Sequence, residues 1–150
     1  MKILGVDCSS KSIGCVQLEG DLLKSAMLYG GDKNDFETRL NVMFYLTRDL
    51  LHEWEPDIVY IERAIYLQNP KTTLMIDAVV NLIRFACIDK QIAYQMIDNK
   101  SWKKIVLRNG NASKDEVRSF VHRTFGEEGL NTQDLCDAVC IALSGAVEKV

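Results

Sequence analysis

The sequence has no uninterrupted apolar run long enough to cross a membrane. A spanning helix needs roughly 18 to 20 predominantly apolar residues, and no stretch of the 150 residues reaches that length. The opening MKILGVD looks like a strand and lacks the charged and then apolar order of a secretory leader. These absences predict a cytoplasmic protein without a membrane partner.

The sequence also lacks cysteines and histidines at the spacing of a zinc site. The five cysteines (Cys8, Cys15, Cys87, Cys136, Cys140) form no C-x-x-C pair, and the two histidines lie in other segments. We expect reduced thiols that pack as small hydrophobic groups, although a reactive thiol at Cys8 stays open. Repeats and long linkers are absent as well, which predicts a single domain over 1–150.

The chain also lacks a large positive charge, since its net charge is −3. Residues 100–123 are the exception, with seven Lys or Arg against Asp115 and Glu116. That window carries +5, so the rest of the chain carries −8. It is either a solvated helical surface or a phosphate-binding face.

Hydrophobic periodicity predicts five strands and five helices. The strands are 2–7, 12–19, 22–30, 57–62 and 91–97; the helices are 35–54, 72–89, one from 98 to the break at 108–111, 113–125 and 132–147. Hairpin-linked strands followed by alternating strands and helices predict an α/β fold with a mixed sheet flanked by helices.

The predicted helix 72–89 is apolar on two sides. Met75, Val79, Leu82 and Ala86 form one stripe, and Ile76, Val80, Ile83 and Cys87 form another. Such a helix is either buried between layers of the monomer or meets a second subunit.

Four acids stand where predicted strands end or a helix begins. Asp7 and Glu62 each close an apolar run of four residues, and Asp134 and Asp137 share one face of the last helix. Each has a structural alternative, since the helix dipole alone favours acids at its start. As a set they predict a phosphodiester nuclease, in which two divalent cations about 3.5 to 4 Å apart offset charge on the attacking and leaving oxygens.

Mg²⁺ binds few protein carboxylates and keeps water, so four acids suffice for two Mg²⁺ ions per active site, with Mn²⁺ as a substitute. Converging carboxylates repel one another without cations, so a purely structural role requires that the four lie apart. Lys114, at the start of a helix after a polar loop, is either a phosphate ligand or an ordinary surface lysine.

Taken in their order along the chain, the segments that carry these residues resemble those of the RuvC-type Holliday junction resolvases, which belong to the RNase H-like superfamily. The matching segments are MKILGVDCSSKSIGCV, IVYIER, WKKIVLRNGNASKDEV and DLCDAVCIAL, and together they span nearly the whole chain. The resemblance implies an RNase H-like domain with a five-stranded mixed sheet, three strands antiparallel and two parallel.

The resemblance also implies a crossover junction endodeoxyribonuclease that acts as a homodimer, makes paired nicks in four-way DNA and takes no small-molecule substrate. Its residues would be metal ligands (Asp7, Glu62, Asp134, Asp137), a phosphate-binding lysine (Lys114), further DNA contacts (Lys103, Lys104, Arg108, Arg118) and a junction wedge (Ile65, Tyr66). The expected location is the bacterial cytoplasm or a phage-infected host cell.

Two departures from the family pattern concern the turn after the first acid and the dimer helix. Cys8-Ser9 replaces Pro-Gly, and Phe85-Ala86 stands where small residues are expected, so dimer geometry and cleavage-sequence preference stay open. Two alternative functions remain: an RNase H-like nuclease of structured RNA, as in the YqgF-like relatives, and an inactive junction-binding module.

Overall fold

The computed structural model describes residues 1–65 and 67–148. These residues form five strands and five helices, in the predicted order. In chain order they are β1 Ile3–Cys8, β2 Ser12–Glu19, β3 Leu22–Tyr29, α1 Phe36–Trp54, β4 Ile58–Glu62, α2 Pro70–Lys90, β5 Ala93–Ile97, α3 Asn99–Leu107, α4 Lys114–Phe125 and α5 Gln133–Glu148.

The strands form one mixed sheet in the order β3-β2-β1-β4-β5. The first three strands are antiparallel neighbours, while β4 runs parallel to β1 and β5 runs parallel to β4. The expected five-stranded mixed sheet is therefore confirmed. Its central strand is β1, which carries Asp7.

Helices cover both faces of the sheet, because successive strand residues point to opposite sides. Leu4, Val6, Val59 and Ile61 pack with α1 and α2 on one face. Side chains at the alternate positions of the same strands pack with α3, α4 and α5 on the other. The chain thus has three layers with a hydrophobic core on each side of the sheet.

Side-chain caps explain where several helices begin. The Asp35 side chain accepts from Thr38 N at 2.8 Å, Ser113 from Glu116 N at 3.1 Å and Thr132 from Leu135 N at 3.1 Å. Two predicted boundaries are wrong by two residues, and the others agree to within one residue. Helix α2 begins at Pro70, two residues early, because proline suits the first helical position, and Gln91 is the left-handed C-cap of α2 and not the start of a strand.

The two apolar stripes predicted on α2 are both directed into the monomer. Val79, Leu82 and Ala86 of the first stripe are buried. The corresponding residues of the second stripe, Val80, Ile83 and Cys87, are buried as well. Of the two possibilities, burial between layers describes these stripes. The exposed surface of α2 is a third stripe that the sequence analysis did not identify.

Cys15, Cys87, Cys136 and Cys140 are buried free thiols, as expected. Burial raises the pKa of Cys15 and Cys87 to about 12. Cys8 is partly exposed, but burial of its sulfur and the neighbouring Asp7 raise its pKa well above the usual value, which weakens the reactive-thiol alternative. Within the described ranges, no helix combines the length and apolar character needed to cross a bilayer.

Candidate active site

Asp7 and Glu62 lie side by side at one end of the sheet. Val6 of β1 is opposite Ile61 of the parallel strand β4, so the acid that follows in each strand occupies adjacent positions. Strand alternation turns both acids toward the face covered by α5. Each is only 8% exposed, although β1 continues one residue past Asp7, to Cys8.

Two glycines allow α5 to lie directly on these strands. A Cβ at Gly5 would collide with the backbone of Ala138 and Ala142, and a Cβ at Gly14 would lie 2.9 Å from the Asp134 carbonyl oxygen. Gly14 is also the antiparallel partner of Asp7. The start of α5 therefore lies over the Asp7–Gly14 pair, which brings Asp134 and Asp137 to the same end of the sheet.

The four acids share one electrostatic environment. Burial raises the pKa of Asp7 well above its usual range, and Glu62, Asp137 and Asp134 raise it further. Burial is also the main reason that the pKa of Glu62 is about 7. Such mutual effects require close approach of like charges, so the alternative in which the acids lie apart is not what the fold shows.

The cluster has the donor chemistry of a site for hard divalent cations. Carboxylate oxygen is the ligand that Mg²⁺ takes from proteins, in small numbers and alongside water. Among the described residues, however, no three His, Cys, Asp or Glu side chains are already converged as a ready-made ligand group. Asp137 is instead held by Gln133 Nε2 at 2.9 Å. We judge that the residues fit a metal site in composition and proximity, but that their side chains would have to turn toward the ion.

Two lysines of the basic window stand beside the acids. Lys103 of α3 and Lys114, the first residue of α4, both lower the pKa of Asp137, which burial nevertheless raises to about 6. Lys103 also acts on Glu62. Lys103 was expected only among the general DNA contacts, but the structure places it, like Lys114, near enough to act on Asp137.

The other predicted DNA contacts extend away from the acids along α3 and α4. Lys104 and Arg118 are exposed, and Arg118 lies one helical turn beyond Lys114. Arg108 lines a cavity of about 530 Å³ between the two helices, together with Phe120 and Arg123. The structure thus gathers two of these basic residues near the acids and leaves three on a flanking surface.

The wedge candidates stand three and four residues after Glu62 in the sequence. Ile65 is 48% exposed and lines a small cavity of about 110 Å³ that also contacts Asp7, Cys8 and Glu62. Tyr66, the second candidate, lies outside the described residues. An apolar side chain is therefore exposed at the edge of the acid cluster, and the role of Ile65 as a wedge stays a prediction.

Sequence reasoning missed the groups that hold Glu62. Trp102 Nε1 donates to Glu62 Oε2 at 2.5 Å, and Asn99 Nδ2 donates to the same oxygen at 3.4 Å. The available signal was a tryptophan inside a basic helix, because a buried indole N–H needs an acceptor. The sequence did not reveal which acceptor it would meet.

A mixed sheet of this order, covered by helices on both faces and carrying acids at the end of its central strands, is the RNase H-like fold. Two solved structures share it. Thermus thermophilus RuvC in complex with a Holliday junction substrate superposes with a TM-score of 0.85 at 17% identity, covering 99% of this chain and 94% of that one. The yeast mitochondrial Holliday junction resolvase gives 0.68 at 14% identity, covering 95% and 76%.

The sequence gives the family. Residues 3–145 match the family model of the crossover junction endodeoxyribonuclease RuvC. The RuvC of Salinibacter ruber is 30% identical over 95% of this chain and 83% of its own length, and that of Ehrlichia chaffeensis is 24% identical over 99% and 98%. The chain belongs to the RuvC family of crossover junction endodeoxyribonucleases, which confirms the expected family.

Proposed function

We propose that this protein resolves four-way DNA junctions by Mg²⁺-dependent phosphodiester hydrolysis, with paired nicks made by a homodimer. The observation that carries the proposal is the placement of Asp7, Glu62, Asp134 and Asp137, from three separate elements, at one end of the sheet. Sequence neighbours such as the Salinibacter ruber protein support the choice of DNA junctions as substrate.

The four carboxylates would hold two Mg²⁺ ions, with Mn²⁺ as a substitute. Bound there, the ions would lower the barrier to attack by water and offset charge on the leaving oxygen. Asp7, the acid of the central strand, has the other three acids as neighbours, so it would be the central ligand of the site. Glu62, Asp134 and Asp137 would supply the remaining carboxylate ligands.

The basic residues would hold DNA around this centre. Lys114 and Lys103 are near enough to Asp137 to affect its pKa, so their ammonium groups can contact the reacting or the adjacent phosphate. Lys104, Arg108 and Arg118 would contact phosphates farther along an arm of the junction. Such contacts fix the position of DNA without reading its sequence, and binding should weaken steeply with salt.

Ile65 would enter the branch point. Its position three residues after the end of β4, exposed and next to the acids, allows it to replace a stacking partner of a base when the arms separate. Tyr66 is proposed for the same role on its place in the sequence alone. Branch geometry, and not base sequence, would then select the substrate.

The exposed stripe of α2 supports a homodimer. Leu74, Phe85 and Ile88 are 69%, 63% and 57% exposed. With Ala78 and Asn81 they fall within an arc of about 80° on a helix of 3.6 residues per turn. A stripe of this kind can pair with its own copy about a two-fold axis, and two nicks in one junction require two active sites.

The dimer is tested by light scattering on size-exclusion chromatography. We expect the parent protein to elute as a dimer and Phe85→Asp as a monomer, because a carboxylate cannot be buried in an apolar seam without a partner. Leu22→Asp is the matched control, since Leu22 is 69% exposed on the β2–β3 hairpin. A monomeric parent at micromolar concentration would refute the dimer.

The reaction is tested with labelled four-way, three-way and linear DNA and a structured RNA, each with Mg²⁺ or with EDTA. We expect paired cuts in the four-way junction with Mg²⁺ only, and no cleavage by Asp7→Asn, which should still bind the junction. Asp21→Asn, in the exposed β2–β3 turn, is the control. Preference for RNA would favour a YqgF-like nuclease, and binding without cleavage by the parent would favour an inactive binding module.

The action proposed here is that of a single nuclease domain over 1–150. The named relatives are bacterial, so the expected site of action is the cytoplasm, where bacterial DNA resides. A phage-infected host cell would offer the same compartment.

A further inference from the structure

A tryptophan of the basic helix α3 reaches across to an acid of the sheet. Trp102 is fully buried, and its indole Nε1 donates to Glu62 Oε2 at 2.5 Å. One turn earlier on the same face of α3, Asn99 Nδ2 donates to that oxygen at 3.4 Å. Two neutral donors forty and thirty-seven residues away in sequence thus converge on one carboxylate oxygen.

The ring of Trp102 is itself immobilised. It packs in the core shared by α3, α4 and α5, among residues that include Val117, Leu130 and Ile141. An indole held in this way is a fixed donor, whereas a water molecule or an exposed side chain would follow the carboxylate as it moved. The structure therefore anchors Glu62 through the hydrophobic core and not through solvent.

Both hydrogen bonds end on Oε2, which distinguishes the two oxygens of the carboxylate. Oε2 is the oxygen held by α3, and neither of these two bonds uses Oε1. A glutamate side chain has three rotatable bonds, and ordering it costs conformational entropy. Fixing one oxygen removes part of that cost before a ligand arrives.

We propose that Trp102, assisted by Asn99, is a positioning residue that fixes the Glu62 carboxylate through Oε2 and leaves Oε1 for a metal ion. The inference rests on the proposed function, because it takes Glu62 to be a metal ligand. Partners that orient a metal ligand in this way typically contribute a factor of roughly 10 to 100 in metal affinity. Trp102 touches neither substrate nor metal and acts through Glu62.

The direct test is Mn²⁺ binding to the DNA-free protein, measured from the electron paramagnetic resonance signal of free Mn²⁺. Trp102→Phe keeps most of the ring volume and removes the donor, so we expect binding to weaken by roughly tenfold or more. Trp54→Phe is the matched control: it is the other tryptophan of the chain, buried in the core on the opposite face of the sheet. It should bind Mn²⁺ like the parent.

A double-mutant cycle separates positioning from general damage to the fold. In a Glu62→Gln background the indole has no carboxylate to orient, so adding Trp102→Phe should change Mn²⁺ affinity by less than about twofold. An equal loss in both backgrounds would overturn the proposal. If Glu62→Gln binds Mn²⁺ like the parent, Glu62 is no ligand and the proposed function fails with it; if only Trp102→Phe is without effect, the positioning role alone fails.

A second measurement leaves Trp102 and Glu62 unaltered. The parent protein should show two indole N–H signals in a ¹H–¹⁵N spectrum, which the Trp54→Phe variant assigns. Adding Mg²⁺ should shift the Trp102 signal and leave the Trp54 signal in place, because only Trp102 is bonded to Glu62. Asn99→Ala supplies a milder variant in case Trp102→Phe does not fold. A Trp102 signal insensitive to saturating Mg²⁺ would overturn the proposal.

Discussion

The acid cluster should make the metal-free protein less stable as the pH rises. Burial places the pKa of Glu62 at about 7 and that of Asp137 at about 6, and raises that of Asp7 as well. The unfolded chain loses these protons near pH 4. Between about pH 4 and pH 7 the folded state therefore binds more protons than the unfolded state, so the free energy of unfolding falls as pH increases.

Glu62 sets the scale of the effect. The interval between its ordinary pKa of 4.5 and about 7 corresponds to roughly 3 kcal/mol, at about 1.4 kcal/mol per pKa unit. For a chain of this length, that equals a fall in melting temperature of roughly 6 to 12 °C. The opposite effect of the N-cap Asp35, whose pKa lies below its usual value, is confined to lower pH.

The assay is thermal unfolding of the protein in EDTA from pH 5 to pH 8, followed by circular dichroism. We expect the highest melting temperature near pH 5, and a reversal of the slope in saturating Mg²⁺, because a cation binds the deprotonated acids. Asp7→Asn removes the charge that the other three acids face, so it should flatten the curve and stabilise the metal-free protein at pH 8. Asp21→Asn, exposed and away from the cluster, should follow the parent. A metal-free stability that is constant or rises from pH 5 to pH 8 would refute the reasoning.

Three further predictions concern single side chains. Lys114→Ala should slow junction cleavage on the order of 100-fold in single-turnover kinetics and weaken junction binding much less in a gel shift, with Lys100→Ala as the control. Equal losses in cleavage and in binding would make Lys114 a general DNA contact. Gly14→Val should destabilise the protein by about 1 to 3 kcal/mol in urea unfolding, because a Cβ there meets the Asp134 backbone. A variant with the stability and cleavage rate of the parent would show that α5 can shift freely. Ile65→Ala should reduce affinity for four-way junctions more than for linear duplex, and the same loss on both substrates would exclude a wedge.

Local pattern was sufficient for most of the fold. Strand alternation, the 3.6-residue helix period and cap residues such as Ser113 and Thr132 act over a few neighbours, so the sequence specifies them directly. The two boundary errors, at Pro70 and Gln91, concern residues whose role depends on the turn that they join. The four acids could be selected because each follows or begins an element whose type was already clear.

Local sequence patterns could not predict which surfaces from distant parts of the chain pack against each other. Helix α2 is apolar around most of its circumference, so its sequence does not tell which sides the sheet and α1 cover and which side stays exposed at Phe85. Lys103 and Lys104 are adjacent and chemically identical, yet α3 turns Lys103 toward Glu62 and Asp137 and leaves Lys104 exposed. No local rule distinguishes them.

By itself, the sequence determined the order and type of the elements and placed an acid at the end of each of two central strands and at the start of the last helix. These features depend on interactions among near neighbours in the chain. Only the tertiary structure decided that the acids meet in one partly buried cluster, that Gly14 lets α5 pack closely on Asp7, and that the Trp102 indole holds Glu62. Those outcomes depend on close packing between segments far apart in sequence, where a single Cβ or one hydrogen-bond donor determines the geometry of the site.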